Sequence, residues 1–230
     1  MTRGRIFLFV GVVLLSLIVF LPLSMALSMF GLTRQGLSAR AATGTIRSGR
    51  LVEARIGRLT VGDVAVGLRP LSLLVGRARI DMQSPLGTGS LTSTRRGLSV
   101  DDATVRLNTA RLFAPIPLDG LDLTAFSVAF ASARCIKAEG RVRANFAGDV
   151  GGLALAQGLS GVARCDRGAL LLPLVSQSAM ERLNLHIQGD GGYRAEFFVR
   201  STDPVMAAKL GSAGFAPAPG GFVLRLAGKL

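Results

Sequence analysis

Two cysteines, a single histidine and a few aspartates are the residues of this chain best placed to do chemistry. Cys135 and Cys165 stand in separate strand-like stretches. No Cys-x-x-Cys spacing occurs and His186 is the one histidine, so no His/Cys metal cluster can be built at ordinary ligand spacing. The cysteines fit either one disulfide in an oxidising compartment or two buried thiols. A closed loop of this length would stabilise the fold by about 3–4 kcal/mol on the chain-entropy view. His186 alternates with Leu183, Leu185 and Ile187, which predicts an exposed or edge position on a strand rather than a catalytic one. Asp101, Asp102 and Asp190 fall where turns favour aspartate, without a partner group for acid–base work. No serine sits in a Gly-x-Ser-x-Gly setting, and Gly87-Thr88-Gly89 has no following helix to make a phosphate loop. Neither catalytic residues, a metal site nor a cofactor is expected.

What must position the chain is its start. Residues 6–30, IFLFVGVVLLSLIVFLPLSMALSMF, run without a charge and are long enough to cross a hydrocarbon core of about 30 Å. Arg3 and Arg5 precede the run; Arg34 and Gln35 follow it. We read residues 1–5 as cytoplasmic, 6–30 as a membrane helix and 31–42 as a linker. Pro22 is tolerated where neighbouring groups satisfy the freed carbonyl. The competing reading is a signal peptide cleaved after Ser24-Met25-Ala26, but the apolar run is longer than a signal core of roughly 7–15 residues. With such an anchor, the disulfide and a periplasmic domain become the expectation for Cys135 and Cys165.

Residues 43–230 read as one β-rich domain with a second break near 147–152. Val, Leu, Ile and Thr recur in short runs punctuated by many of the 29 glycines, and few stretches hold a helical period. Gly62-Asp63 and Asp101-Asp102 read as tight turns inside two similar strand–turn–strand segments, Leu59–Leu68 and Leu98–Leu107. Thr109–Phe113 reads as a short helix stopped by Pro115 and Pro117. Gly189-Asp190-Gly191-Gly192 signals a hairpin. Asp203-Pro204 opens a helix over Val205–Leu210, and Phe222–Leu230 closes the sheet. The predicted class is mainly β: a single transmembrane helix, then an elongated antiparallel sheet with one or two short helices.

The formal net charge of +13 raises nucleic-acid binding as a question. Of 27 basic residues 24 are arginine, scattered singly and often alternating with apolar residues, as in Arg141-Val142-Arg143-Ala144. That spacing places them on the solvated face of strands. With one tyrosine and no tryptophan, no aromatic face is available for stacking bases, so nucleic acid is not an expected partner. Contact with anionic lipid headgroups is a readier use of the charge.

Several local patterns together resemble the type II secretion system protein N family. They are the basic start and membrane helix, Gly44-Thr45-Ile46-x-Ser48-Gly49, Leu68-Arg69-Pro70-Leu71-Ser72-Leu73-Leu74, Asp190-Gly191-Gly192-Tyr193 and Asp203-Pro204. Arg47 stands where many members carry tryptophan. Gly44, Thr45, Gly49, Pro70, Leu73, Leu74, Gly191, Tyr193 and Pro204 would be structural rather than catalytic positions. The resemblance implies a non-enzymatic bacterial inner-membrane protein with a cytoplasmic N-terminus and a periplasmic β domain that contacts other secretion subunits. It also suggests a distant likeness to AsmA-type proteins, with a lipid-binding or lipid-transfer module as the alternative.

Overall fold

A computed structural model describes residues 37–229, apart from 39, 46, 57–58, 70–71, 73–75, 95–96, 110–112, 114–115, 151–152 and 155–156. Among the described residues no helix is long and apolar enough to cross a membrane; segment 6–30 lies outside them. The chain is mainly β and its described strand pairs are antiparallel, arranged in two compact units.

The first unit comprises residues 1–85 and 90–95. Its strands are β1 (Leu37–Ser38), β2 (Ala41–Gly44), β3 (Gly49–Ile56), β4 (Leu59–Leu68) and β5 (Arg77–Ser84). β3 pairs with β1 and β2 and, on its other side, with β4, which pairs with β5. Leu51 and Val64, directly opposite in the ladder, form a small core against Ala42, Val66 and Met82. β6 (Gly87–Thr94) is shared: Ser90–Thr94 group with this unit and Gly87–Gly89 with the next.

The second unit holds the main core. β7 (Gly97–Asn108), β8 (Leu118–Ala131) and β9 (Arg134–Phe146) form a long meander. The small hairpin of β10 (Asp149–Val150) and β11 (Leu153–Ala154) follows. Next come β12 (Leu159–Val162), β13 (Arg164–Asp166), β14 (Ala169–Val175), β15 (Glu181–Ile187) and β16 (Gly192–Val199). Helix α1 (Pro204–Ser212), β17 (Ala216–Ala218) and β18 (Gly221–Lys229) complete the unit. The strand order is β7-β8-β9-β12-β14-β15-β16-β18-β17, with β13 on β14. The final strand in sequence therefore lies second from the edge.

Alternation along each strand sends one set of side chains inward: Val142 and Ala144, Leu183 and Leu185, Ala195, Phe197 and Val199. Phe197 is fully buried, stacked on Phe146 of β9 at 6.0 Å and edge-on to Phe215 at 5.7 Å. β9 and β16 are not neighbours in the ladder, so their ring contact requires the sheet to curl around its apolar face. Connection 109–117 fills the same space: Phe113 and Ile116 are buried, and the Phe113 ring meets Tyr193 at 5.0 Å. Of the short helix expected at Thr109–Phe113, residues 110–112 lie outside the described residues. Thr109 and Phe113 lie in irregular backbone, where Thr109 donates through Oγ1 to the Leu118 carbonyl (3.0 Å). α1 matches expectation: Asp203 caps it by accepting the Val205 N–H (2.9 Å), Pro204 opens it, and Leu210 is buried in the core.

The two strand–turn–strand segments are each one continuous strand. Gly62-Asp63 lies inside β4 and Asp101-Asp102 inside β7, at β-bulges. Asp102 has a left-handed backbone (φ 50), and its N–H, turned out of the ladder, donates to Ser127 Oγ opposite (3.0 Å). Ala125 in β8 (φ 47) does the same to Thr104 Oγ1 (3.2 Å), and Glu53 in β3 (φ 51) to Asp63 Oδ1 (3.0 Å). One device thus recurs three times: two residues oppose one, and the single residue's side chain satisfies the freed N–H. Residues that tolerate φ above zero mark turns and bulges alike, which is why the sequence reads as hairpins here. Bulges increase local twist, which is what a curling sheet needs. Opposite Ala125, Gly140 has φ 110, and a Cβ there would lie 2.5 Å from the Phe126 Cα.

Ser127→Ala and Thr104→Val should each lower unfolding free energy by about 0.5–1.5 kcal/mol in urea titrations, with the m-value unchanged. Ala125→Gly should raise it by about 1 kcal/mol, because glycine relieves the left-handed strain.

Candidate functional site

The family-motif residues sort by what they shape. Gly44 and Gly49 are directly opposite and close the β2–β3 hairpin. The Thr45 N–H donates to the Ser48 carbonyl (3.2 Å), and the Ser48 N–H reaches Thr45 Oγ1 at 3.4 Å. Gly44 has φ 87, and a Cβ on it would sit 2.4 Å from the Ser48 carbonyl oxygen, so only glycine fits. Gly191, with φ 85, turns β15 into β16, where Asp190 Oδ1 accepts the Gly192 N–H (2.9 Å). Tyr193 packs edge-on against Phe113, and Pro204 starts α1. Pro70, Leu73 and Leu74 lie outside the described residues.

The hairpin closed by Gly44 and Gly49 forms one wall of a cleft of about 430 Å³ in the first unit. Arg47 and Arg50 line it together with Thr43, Ser48, Gln83 and Asp81. Asp81 is held by two guanidinium groups, Arg69 Nε at 2.5 Å and Arg79 Nε at 3.4 Å. The Arg69 hydrogen bond, supported by Arg79 and opposed by partial burial, holds its carboxyl below the ordinary aspartate value.

A second cleft, of about 400 Å³, lies over β8, β9 and β12 in the second unit, with Asp122, Arg141 and Arg143 in its wall. Asp122 accepts from Arg106 Nε (2.6 Å) and from Asn145 Nδ2 (2.7 Å). Arg106 and Arg143 are its direct cross-strand neighbours. The Arg106 bond, then Asn145 and the charge of Arg143, depress its pKa against the opposing effect of burial. Arg143 donates to the Gln157 carbonyl at 2.9 Å. Both clefts are open, arginine-walled surfaces.

Cys135 and Cys165 form a disulfide, Cα to Cα 5.6 Å, joining β9 to β13. Two tight hairpins align them: Ser132-Ala133 turns β8 into β9, and Arg167-Gly168 turns β13 into β14, all four with positive φ. The Cys135 N–H donates to the Gly168 carbonyl (2.8 Å), which locks one hairpin tip to the other. His186 differs from expectation. It lies in β15, an interior strand between β14 and β16, half-buried, with Nε2 3.5 Å from Asp166 Oδ2. Its side chain still projects away from Leu183 and Leu185. Among the described residues no group of three or more metal-ligating side chains comes together.

The missed feature is the cleft in the first unit. Its signal was present as the interval between Gly44 and Gly49, but Arg47 and Arg50 within it read as ordinary solvated strand arginines.

The family described as type II secretion system (T2SS), protein N, matches residues 35–225. The chain belongs to this family. It is a component of the type II secretion system, and the match spans both described units. No curated protein and no solved structure matches the chain. Membership of a secretion family associates the protein with the cell envelope, consistent with its disulfide.

Removing the disulfide, as Cys135→Ala/Cys165→Ala or by reduction, should cost about 3–4 kcal/mol in urea unfolding. Acid behaviour follows from Asp81 and Asp122. Both pKa values are lower folded than the ordinary 3.8, so their stabilisation is complete above that value. It is lost as pH falls from there through the depressed values. Asp122→Asn should flatten this acid limb of stability, read as unfolding midpoint against pH.

Proposed function

We propose that this type II secretion protein is a non-enzymatic accessory subunit. Segment 6–30 anchors it in the inner membrane, the N-terminus is cytoplasmic, and residues 43–230 stand in the periplasm. There they contact other secretion subunits through sheet edges and β surfaces. The observation that carries this reading is the filled interior of the second unit. Phe113, Phe146, Phe197, Phe215 and Leu210 occupy the apolar face of its curled sheet. That favours a protein-contacting scaffold over a lipid-transfer module in this unit, because such a module needs an open apolar groove.

Contact then falls to edges and outer faces. β17 covers β18 only as far as Val223, and among the described strands none pairs with the outer side of Leu224–Lys229. An edge of this kind offers backbone donors and acceptors to an added strand. Arg225, held on the outer face by Glu196 Oε1 at 2.9 Å, and Lys229 mark the edge with positive charge. The disulfide supports the periplasmic placement.

Photo-cross-linking residues placed at Arg225 and Ala227 in cells should capture other secretion subunits, identified by mass spectrometry. The same probe at inward-facing Phe197 should not. Capture of lipid alone, with secretion intact in a deletion strain, would overturn the scaffold reading and favour lipid transfer.

A further inference from the structure

Positive charge is divided unequally between the two units. Beyond segment 6–30 the first carries 10 arginines against 3 carboxylates, a net charge of +7; the second carries 15 basic against 11 acidic residues, a net charge of +4. All three carboxylates of the first unit are engaged. Glu53 pairs with Arg40 at 3.0 Å, Asp81 with Arg69 and Arg79, and Asp63 accepts the bulge N–H of Glu53. Arg47 and Arg50 are exposed and, among the described residues, have no carboxylate partner. They meet in the cleft over the β2–β3 hairpin, where Thr43, Ser48 and Gln83 add hydroxyl and amide groups.

We propose that this cleft binds the phosphate headgroup of an anionic phospholipid at the periplasmic face of the inner membrane. The inference rests on the anchor reading above. Two guanidinium forks flanked by hydroxyls suit a phosphate, whose oxygens accept paired N–H donors. Thr43 follows Phe30 by thirteen residues, which limits the cleft to within about 45 Å of the segment's end even if the chain between were fully extended. Anionic bilayers attract basic groups most strongly within a Debye length of their surface. The unit next to the anchor is the one with unneutralised arginine. The turn that Gly44 makes possible sets both arginines around one opening.

The test uses the full chain inserted in nanodiscs of phosphatidylcholine alone or containing phosphatidylglycerol, with amide hydrogen exchange followed over residues 41–52. Exchange should be about thirtyfold slower in the anionic discs, as two basic side chains engaged near the surface would give. The effect should vanish at high salt and in Arg47→Gln/Arg50→Gln, whose unfolding midpoint should match the parent's. Equal exchange in both discs, with the chain retained in each, overturns the cleft and leaves the anchor standing. A chain that leaves neutral discs but joins anionic ones through Arg47 and Arg50 supports the cleft and overturns the anchor. Binding to neither disc overturns both. Full protection by inorganic phosphate in neutral discs assigns the cleft to a soluble anion and overturns the lipid. Protection in neutral discs only on adding another secretion subunit does the same in favour of an acidic protein surface.

Discussion

A sheet with one apolar face must bury that face, and the second unit has little else to cover it with. Among its described residues the nine of α1 are the only helix, and Leu210 is the one helix side chain fully buried. The sheet therefore has to cover itself. Phe197 sits where this succeeds, between Phe146 from one limb and Phe215 from the other. Phe113 closes the remaining space. Curling on this scale is hard for regular ladders, and the bulges at Asp102 and Ala125 supply extra twist at points along β7 and β8. Each would leave a backbone donor unpaired. Ser127 and Thr104 meet that cost by side-chain acceptance across the strand pair. The disulfide works at the other margin, tying β13 to β9 where the short strands β12 and β13 break at Ala163.

Much of this was legible in the chain. Alternation gave the strands, Asp203-Pro204 gave α1, and Asp190-Gly191 gave the β15–β16 hairpin. The disulfide followed from two cysteines on strands and an anchor that implied an oxidising compartment. What misread was the meaning of residues that accept positive φ. Gly62-Asp63 and Asp101-Asp102 mark points where the chain leaves the ladder, but local sequence cannot tell a reversal from a bulge. That difference depends on the partner strand, and the acceptor opposite Asp102 lies 25 residues away. The roles even differ between the two similar segments. Asp102 is itself the bulged residue, whereas Asp63 is the single residue that caps a bulge in β3.

Arginine shows where composition alone stops short. Alternation placed these residues on the solvated face, and in the second unit that is a sufficient account. Arg106 faces Asp122 and Arg225 faces Glu196 as direct cross-strand pairs, and 11 carboxylates in that unit stand against 15 basic residues. A strand face laced with such pairs stays soluble, and its edges are discouraged from pairing without control.

The first unit does not submit to that account. Its few carboxylates are committed, and among the described residues Arg47 and Arg50 have no carboxylate partner. Repulsion between like charges of that kind costs stability. An excess of one sign suits an anionic partner, the reading proposed for the cleft of Arg47 and Arg50. The neighbouring unit of the same chain, built from similar strands and comparable arginine content, has mixed charge. The contrast between the two units, rather than the total of +13, is what the proposed phospholipid contact rests on.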